Sequence, residues 1–311
     1  MKIKERLNLN FKKALFIIHN DGDGRGCEIL ARVYLPNRLN DIEFKVIEAS
    51  NGDISLKEAI NSNLYDLIIM GDCSFKEENT LILVKEYISK GNQLFLIDHH
   101  KNAMEYEEYN WAFVSVEEEG IKNSGTELLY QFLNQQIGYN EAPKEFVELI
   151  RSYDTWDWFK TKDQRPVDLN VLFFFDKEEF VNDMVENINN SKPVFNEKQS
   201  MTLKILNKCN KNYIEKSIEN IEIISYEDKK VGIIVANQLQ GLIANDVFLK
   251  YPELSFIVFI ASTKKLSFRS TADRENVFLI AKELGGGGHR EASGCDISES
   301  LGMYIKENIL K

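Results

Sequence analysis

Cysteine and histidine are scarce in this chain of 311 residues, with four of each. Cys27, Cys73, Cys209 and Cys295 stand far apart and make no CxxC pair, so neither a thiolate zinc site nor a disulfide framework is indicated, and they read as free thiols. No apolar run approaches the roughly 20 residues that span a bilayer. The opening Met1-Lys2-Ile3-Lys4-Glu5-Arg6 is not followed by the apolar stretch of a signal peptide. A cytoplasmic protein with no membrane partner is therefore the expectation. Positive charge is also short: 38 Lys and Arg against 49 Asp and Glu give a formal net charge of -11. That deficit argues against a long duplex partner, which needs a broad basic face to neutralise many phosphates. Short phosphate ligands stay open, because bound cations reverse the local charge. What remains, at 43% hydrophobic and 28% charged residues, is the composition of an ordinary globular protein, and the length favours two domains.

The few histidines are not scattered. Leu94-Phe95-Leu96-Ile97 reads as a buried strand that stops at Asp98-His99-His100. Ala14-Leu15-Phe16-Ile17-Ile18 runs into His19-Asn20-Asp21-Gly22-Asp23-Gly24, and Leu67-Ile68-Ile69-Met70 into Gly71-Asp72-Cys73-Ser74. Three strand ends thus carry three of the four histidines, and the fourth, His289, follows Gly285-Gly286-Gly287-Gly288. In an open α/β sheet, sites form at the carboxyl ends of strands, where the outgoing loops ring one crevice. Mixed carboxylate and imidazole donors suit a borderline divalent cation such as manganese, or zinc, better than an all-oxygen calcium or magnesium site.

From Ala14 to Tyr153 strand and helix patterns alternate, which predicts a parallel, doubly wound sheet. Helices are expected at 26–35, 77–90, 126–133 and 144–153, and a fifth strand at 111–116. The last of these helices empties into Ser152-Tyr153-Asp154-Thr155-Trp156-Asp157-Trp158, where Asp154 offers a further anionic ligand and the aromatics suit either core capping or base stacking. Thr161 to Pro166 reads as a domain exit, and 176–190 and 196–220 as helices with Asp176 and Asn196 as N-caps. Strands then return from Ile221, with a helix over 239–251 and another over 277–284 that leads into the four glycines. Helix-compatible sequence is expected to resume after them. The division expected is residues 1–160, a helical linker 161–220 and a smaller α/β domain 221–311.

Two corners carry chemistry. The metal-type cluster is one; in the other, Gly287, Gly288, His289 and Arg290 give a backbone open to an anion with donor side chains beside it, and Arg269-Ser270 ends a nearby strand with a fork of donors. Arg25, at a helix start beside the first loop, is a candidate phosphate contact, with a solvent-facing arginine as the plainer alternative. A substrate held by both corners is the expectation.

Taken in order, His19-Asn20-Asp21-Gly22-Asp23-Gly24, Asp72, Asp98-His99-His100, Asp154 and Gly285-Gly286-Gly287-Gly288-His289 resemble the motifs of the DHH/DHHA1 phosphoesterases over nearly the whole chain, closest to the nanoRNase, or oligoribonuclease, branch. The resemblance implies a parallel-sheet DHH domain joined by a linker to a DHHA1 domain. It also implies two divalent cations, manganese before magnesium or cobalt. His19 and Asp21 would hold one cation, Asp23, His99 and Asp154 the other, and Asp72 would bridge both. His100 would face the scissile phosphate with Asp98 orienting an imidazole, and Arg269, Ser270, Gly287, Gly288, His289 and Arg290 would hold the substrate's far end. His19 stands two residues before Asp21 where the family's small-nucleotide phosphodiesterases usually have four, a spacing nearer the exonuclease-like members. The implied reaction is attack on phosphorus by a water activated between two cations about 3.5 to 4 Å apart. Its substrates would be short oligoribonucleotides, dinucleotides such as pGpG or pApA, and 3'-phosphoadenosine 5'-phosphate. Cyclic-dinucleotide hydrolysis, a pyrophosphatase or exopolyphosphatase activity, and a non-enzymatic nucleotide-binding regulator are the alternatives. The partners expected are short nucleotides alone, with a homodimer left open.

Overall fold

A computed structural model describes residues 5–297 of the chain. The chain divides into two compact units, the first running to Leu203 and the second starting at Lys204.

The first unit alternates strand and helix: β1 (Ala14–His19), α1 (Gly22–Tyr34), β2 (Ile42–Ile47), α2 (Gly52–Ser62), β3 (Leu67–Gly71), α3 (Glu78–Ser89), β4 (Gln93–Asp98) and β5 (Ala112–Val114). All five strands are parallel, in the order β2-β1-β3-β4-β5. The doubly wound sheet read from the sequence is thus present. The inner strands β1, β3 and β4 are apolar between their ends because both faces are covered, whereas the edge strand β2 carries Glu43 and Lys45. Leu15, Ile17, Ile68, Met70, Leu94 and Leu96 pack against Leu56 and Ala59 of α2 and Val84 and Tyr87 of α3. The alternate residues Phe16, Ile18, Ile69, Phe95 and Ile97 are buried on the opposite face, where the Phe95 ring lies 4.9 Å from that of Phe132. Strand order reverses at β1, whose neighbours are β2 and β3, and such a switch point opens a crevice at the carboxyl ends of the strands.

A short hairpin, β6 (Glu117–Glu118) and β7 (Ile121–Lys122), leads to α4 (Gly125–Gln136), which supplies Phe132, and α5 (Lys144–Asp154); then come α6 (Asp157–Thr161), α7 (Arg165–Phe175) and α8 (Lys177–Asn189). Three local outcomes differ from expectation. Helix α1 begins at Gly22 rather than at Gly26, because the Asp21 side chain accepts from Gly24 N at 2.9 Å and caps it. Strand β5 covers three residues instead of six, since a hairpin strand starts by Glu117. Pro166 does not mark a loop: it sits in the first turn of α7, where a missing N–H costs nothing.

The unit boundary falls within α9 (Glu197–Glu219). Beyond it come β8 (Glu222–Tyr226), β9 (Lys229–Val235), α10 (Gln240–Lys250), β10 (Phe256–Ser262), β11 (Lys265–Arg269), α11 (Val277–Glu283), β12 (Gly287–Gly288) and β13 (Ala292–Asp296). They form a six-stranded sheet in the order β12-β13-β11-β10-β9-β8, parallel only between β9 and β10, which the crossover helix α10 connects. The sequence after the glycines is therefore a β-hairpin and not a helix, because β13 pairs with β11 along its whole length and β12 folds back on it.

Candidate metal centre

His19 is the last residue of β1, Asp72 follows β3 directly, and Asp98 ends β4, so the parallel register sets all three on one rim of the sheet. Asp72 adopts φ 58°, a left-handed conformation that aspartate tolerates better than most residues. Its side chain is only 1% exposed, and neither carboxylate oxygen has a hydrogen-bond partner among the described residues. A buried carboxylate left so is costly unless a cation completes it.

The imidazoles close around that carboxylate. His19 Nδ1 lies 2.8 Å from Asp21 Oδ2 and 3.4 Å from Asp72 Oδ2. His99 Nε2 lies 3.3 Å from Asp72 Oδ1 and 3.6 Å from both Asp23 Oδ2 and Asp154 Oδ2. Three sets of three donors result among the described residues, His19–Asp21–Asp72, Asp23–His99–Asp154 and Asp72–His99–His100, each with its ligand atoms within 4.8 Å of one another. One oxygen of Asp72 faces each imidazole. Asp154, the final residue of α5, reaches the cluster from outside the sheet.

His100 is held differently. Its Nδ1 lies 2.7 Å from Asp98 Oδ1, which also accepts from His100 N at 3.2 Å. Asp98 is fully buried, and this pair fixes the ring and keeps a proton on Nδ1.

Electrostatics tell the same story of excess negative charge. Burial alone would lower the pKa of His19, but its contacts with Asp21 and Asp72 prevail and raise it to about 10. Burial would raise that of Asp21, yet the His19 contact holds it at about 2. Asp72 is pushed well above the carboxylate range by burial and by Asp23 and Asp21. Burial and Asp23 raise Asp154 to about 7. Burial works against the charged forms of His99 and His100, but Asp23 raises the first and the Asp98 hydrogen bond the second. Without cations the cluster retains protons on several groups, and the mixed oxygen and nitrogen donors fit a divalent ion able to replace them.

Several positioning residues escaped the sequence reading. Asp23 accepts from Gly125 N at 2.6 Å and from Thr126 N at 2.8 Å, so its carboxylate rests on the first turn of α4, where unpaired N–H groups and the helix dipole favour an anion. Gly125 is required there, since a Cβ would come within 2.5 Å of that of Asp72. The signal was present as Ser124 with Glu127 three residues on, a capping-box pattern, and Ser124 Oγ does accept from Glu127 N. Lys177 Nζ donates to Asn20 O and Oδ1 at 3.1 and 2.9 Å and so braces the loop between His19 and Asp21. Arg25 is placed elsewhere than the phosphate contact expected of it: it is 4% exposed, and its Nη2 donates to Glu178 Oε1 at 2.7 Å, tying α1 to α8.

In the second unit, pairing of Arg269 with Ala292 and of Gly288 with Ser293 brings the ends of β11 and β12 together. His289 N donates to Ala292 O at 2.7 Å, closing the hairpin, and Gly288 takes φ 133° where a side chain would collide with Ala292 O. Arg269 Nη1 donates to Ser267 Oγ and Phe268 O, Ser270 is buried, and Arg290 Nη2 reaches Ala272 O at 3.2 Å. Gly287, Gly288, His289 and Arg290 are exposed.

Residues 13–152 match the DHH family, N-terminal domain. Over 291 residues, 91% of this chain and 72% of the relative, the sequence is 31% identical to oligoribonuclease NrnB of Bacillus subtilis (strain 168). Among solved structures the fold is similar to that of exonuclease RecJ bound to manganese, with a TM-score of 0.55 at 15% identity over 95% of this chain and 88% of that one. The pGpG-specific phosphodiesterase PggH of Vibrio cholerae is also similar, with a TM-score of 0.54 at 11% identity over 95% and 96%. A relative of that identity over most of both chains, and a family match that spans the whole parallel sheet, establish that the chain belongs to the DHH family of phosphoesterases.

Proposed function

We propose that the chain is a phosphodiesterase dependent on two divalent cations that hydrolyses short oligoribonucleotides. The observation that carries this reading is Asp72, buried with no hydrogen bond to either oxygen among the described residues, one oxygen lying 3.4 Å from His19 Nδ1 and the other 3.3 Å from His99 Nε2. His19 and Asp21 would hold one cation, Asp23, His99 and Asp154 the other, and Asp72 both. When bound, the cations supply a nucleophile at neutral pH by lowering the pKa of water, and positive charge for the phosphoryl oxygens. Asp98 claims the Nδ1 atom of His100 that faces Asp72, which separates this imidazole from the ligand set and leaves it to donate to the phosphate. The helix start under Asp23 and the Lys177 brace on the ligand loop hold the donors in place before substrate arrives. Arg269, Ser270, Gly287, Gly288, His289 and Arg290 would grip the nucleotide's remote end.

Support for the substrate class is the 31% identity to an oligoribonuclease. Manganese is favoured by the mixed nitrogen and oxygen donor set. The reading is tested with labelled RNAs of two to seven residues, cyclic dinucleotides, 3'-phosphoadenosine 5'-phosphate and pyrophosphate, each with manganese and with magnesium. Fastest turnover of the shortest RNAs is expected; cleavage of pyrophosphate alone would overturn it.

A further inference from the structure

Eight non-glycine residues among those described have positive φ, and only two of them, Trp156 and Leu239, are apolar. A left-handed conformation is unfavourable for a bulky side chain and persists only where something compensates it. For Leu239 the compensation is visible, because its side chain packs against the core of the second unit. Trp156 is covered far less, at 45% exposed with φ 63°. It is the single residue between the C-cap of α5 and the start of α6, a position where glycine or asparagine would make the same turn freely. The turn therefore does not explain the indole.

The location does. Asp154, two residues earlier, has its carboxylate 3.6 Å from His99 Nε2 within the candidate metal centre. The Trp156 ring lies 5.5 Å from that of Trp158, which is 8% exposed and stands edge-on to Phe159. Trp158 thus backs the Trp156 indole, tilted 35° from it, while Trp156 remains 45% exposed. A partly exposed aromatic ring two residues along the chain from Asp154 matches the flat, apolar face of a nucleobase, and base stacking of this kind is tolerant of sequence.

We propose that Trp156 is a stacking platform for the nucleobase of the nucleotide that carries the scissile phosphate. The proposal rests on the reading of the site as a phosphodiesterase for short oligonucleotides and adds a determinant that restricts it to phosphodiesters bearing a base. Binding energy from the stacked base would align the phosphate with the cluster, so turnover as well as affinity depends on it.

The test compares Trp156→Gly, Trp156→Ala and Trp156→Phe in the full, manganese-loaded chain, with pApA and with pApA analogues lacking one adenine. Glycine adopts the turn without strain, so the Gly variant should melt above the Ala variant. Both should nevertheless lose about 5- to 150-fold in kcat/KM on pApA, while Phe restores most of it. The analogue lacking the stacked base should be cleaved slowly by the wild type and no more slowly by the variants. Wild-type activity in the Gly variant would show that only the backbone turn matters and would overturn the platform, as would equal losses on pApA and both analogues. A wild type that cleaves neither pApA nor the analogues would remove the phosphodiesterase reading and the platform together.

Discussion

At the metal corner of the first unit Asp23, Asp72 and Asp98 are 3%, 1% and 0% exposed, held by strand ends and a helix start. At the glycine corner of the second unit His289 and Arg290 are exposed, and the chain there is shaped by main-chain pairing. The first arrangement concentrates charge that the fold cannot solvate, and so demands cations. The second demands nothing and can only add affinity for something that arrives. Loss of a group at the first corner should therefore abolish chemistry for every substrate, and loss at the second should discriminate among substrates.

The largest effect expected is from Asp72→Ala, which should abolish turnover on oligonucleotides and on bis-p-nitrophenyl phosphate alike, whereas His19→Ala, serving one donor set, should leave a residual rate at saturating manganese. Equal residual rates in the two variants would break the bridging role. Next comes His100→Ala, expected to lower the chemical rate by about 100- to 1,000-fold on both substrates with metal content nearly unchanged; metal analysis beside His99→Ala, which should lose metal, separates the two imidazoles. At the other corner His289→Ala should cost roughly ten- to a hundredfold in kcat/KM on oligonucleotides, the worth of one charge-assisted contact, and largely spare the small chromogenic diester. Equal losses on both substrates would erase the contrast between the corners.

The smallest effect is on stability against pH. His19, raised from its ordinary 6.5 to about 10, stabilises the metal-free fold fully below about pH 6.5 and loses that contribution as pH climbs through 10. Asp154, raised from 3.8 to about 7, adds stability only while protonated, and this fades as pH rises through 7. Asp21 acts in the opposite sense, but only below about pH 4. Between pH 5.5 and 9 the melting temperature in chelator should therefore fall more steeply than in manganese, which displaces the same protons. Parallel profiles would show that the cations bind elsewhere.

Much of the metal corner was legible because buried parallel strands are uniformly apolar, so the sudden polar groups at Asp72 and at Asp98-His99-His100 stand out. The start of α1 was not, since Gly22-Asp23-Gly24 has poor helix propensity and only the Asp21 cap and the packing of Gly24 against His19 make it helical. Arg25 was misjudged because its partner Glu178 lies 153 residues away. Strand β12 was hidden for a related reason: two glycines carry no strand preference, and pairing with β13 alone makes them one. Only Arg25 answers to a partner distant in sequence; the start of α1 and strand β12 are set by partners within seven residues, whose effect depends on the folded backbone and not on local propensity.

The central claim is that one buried carboxylate joins two cation sites, and equilibrium manganese titration of the wild type, Asp72→Ala, His19→Ala and Asp154→Ala tests it most directly. The account predicts two ions per chain in the wild type, one tight ion in each of the His19 and Asp154 variants, and none bound tightly in Asp72→Ala. A single ion in the wild type, or unchanged stoichiometry without Asp72, would contradict it.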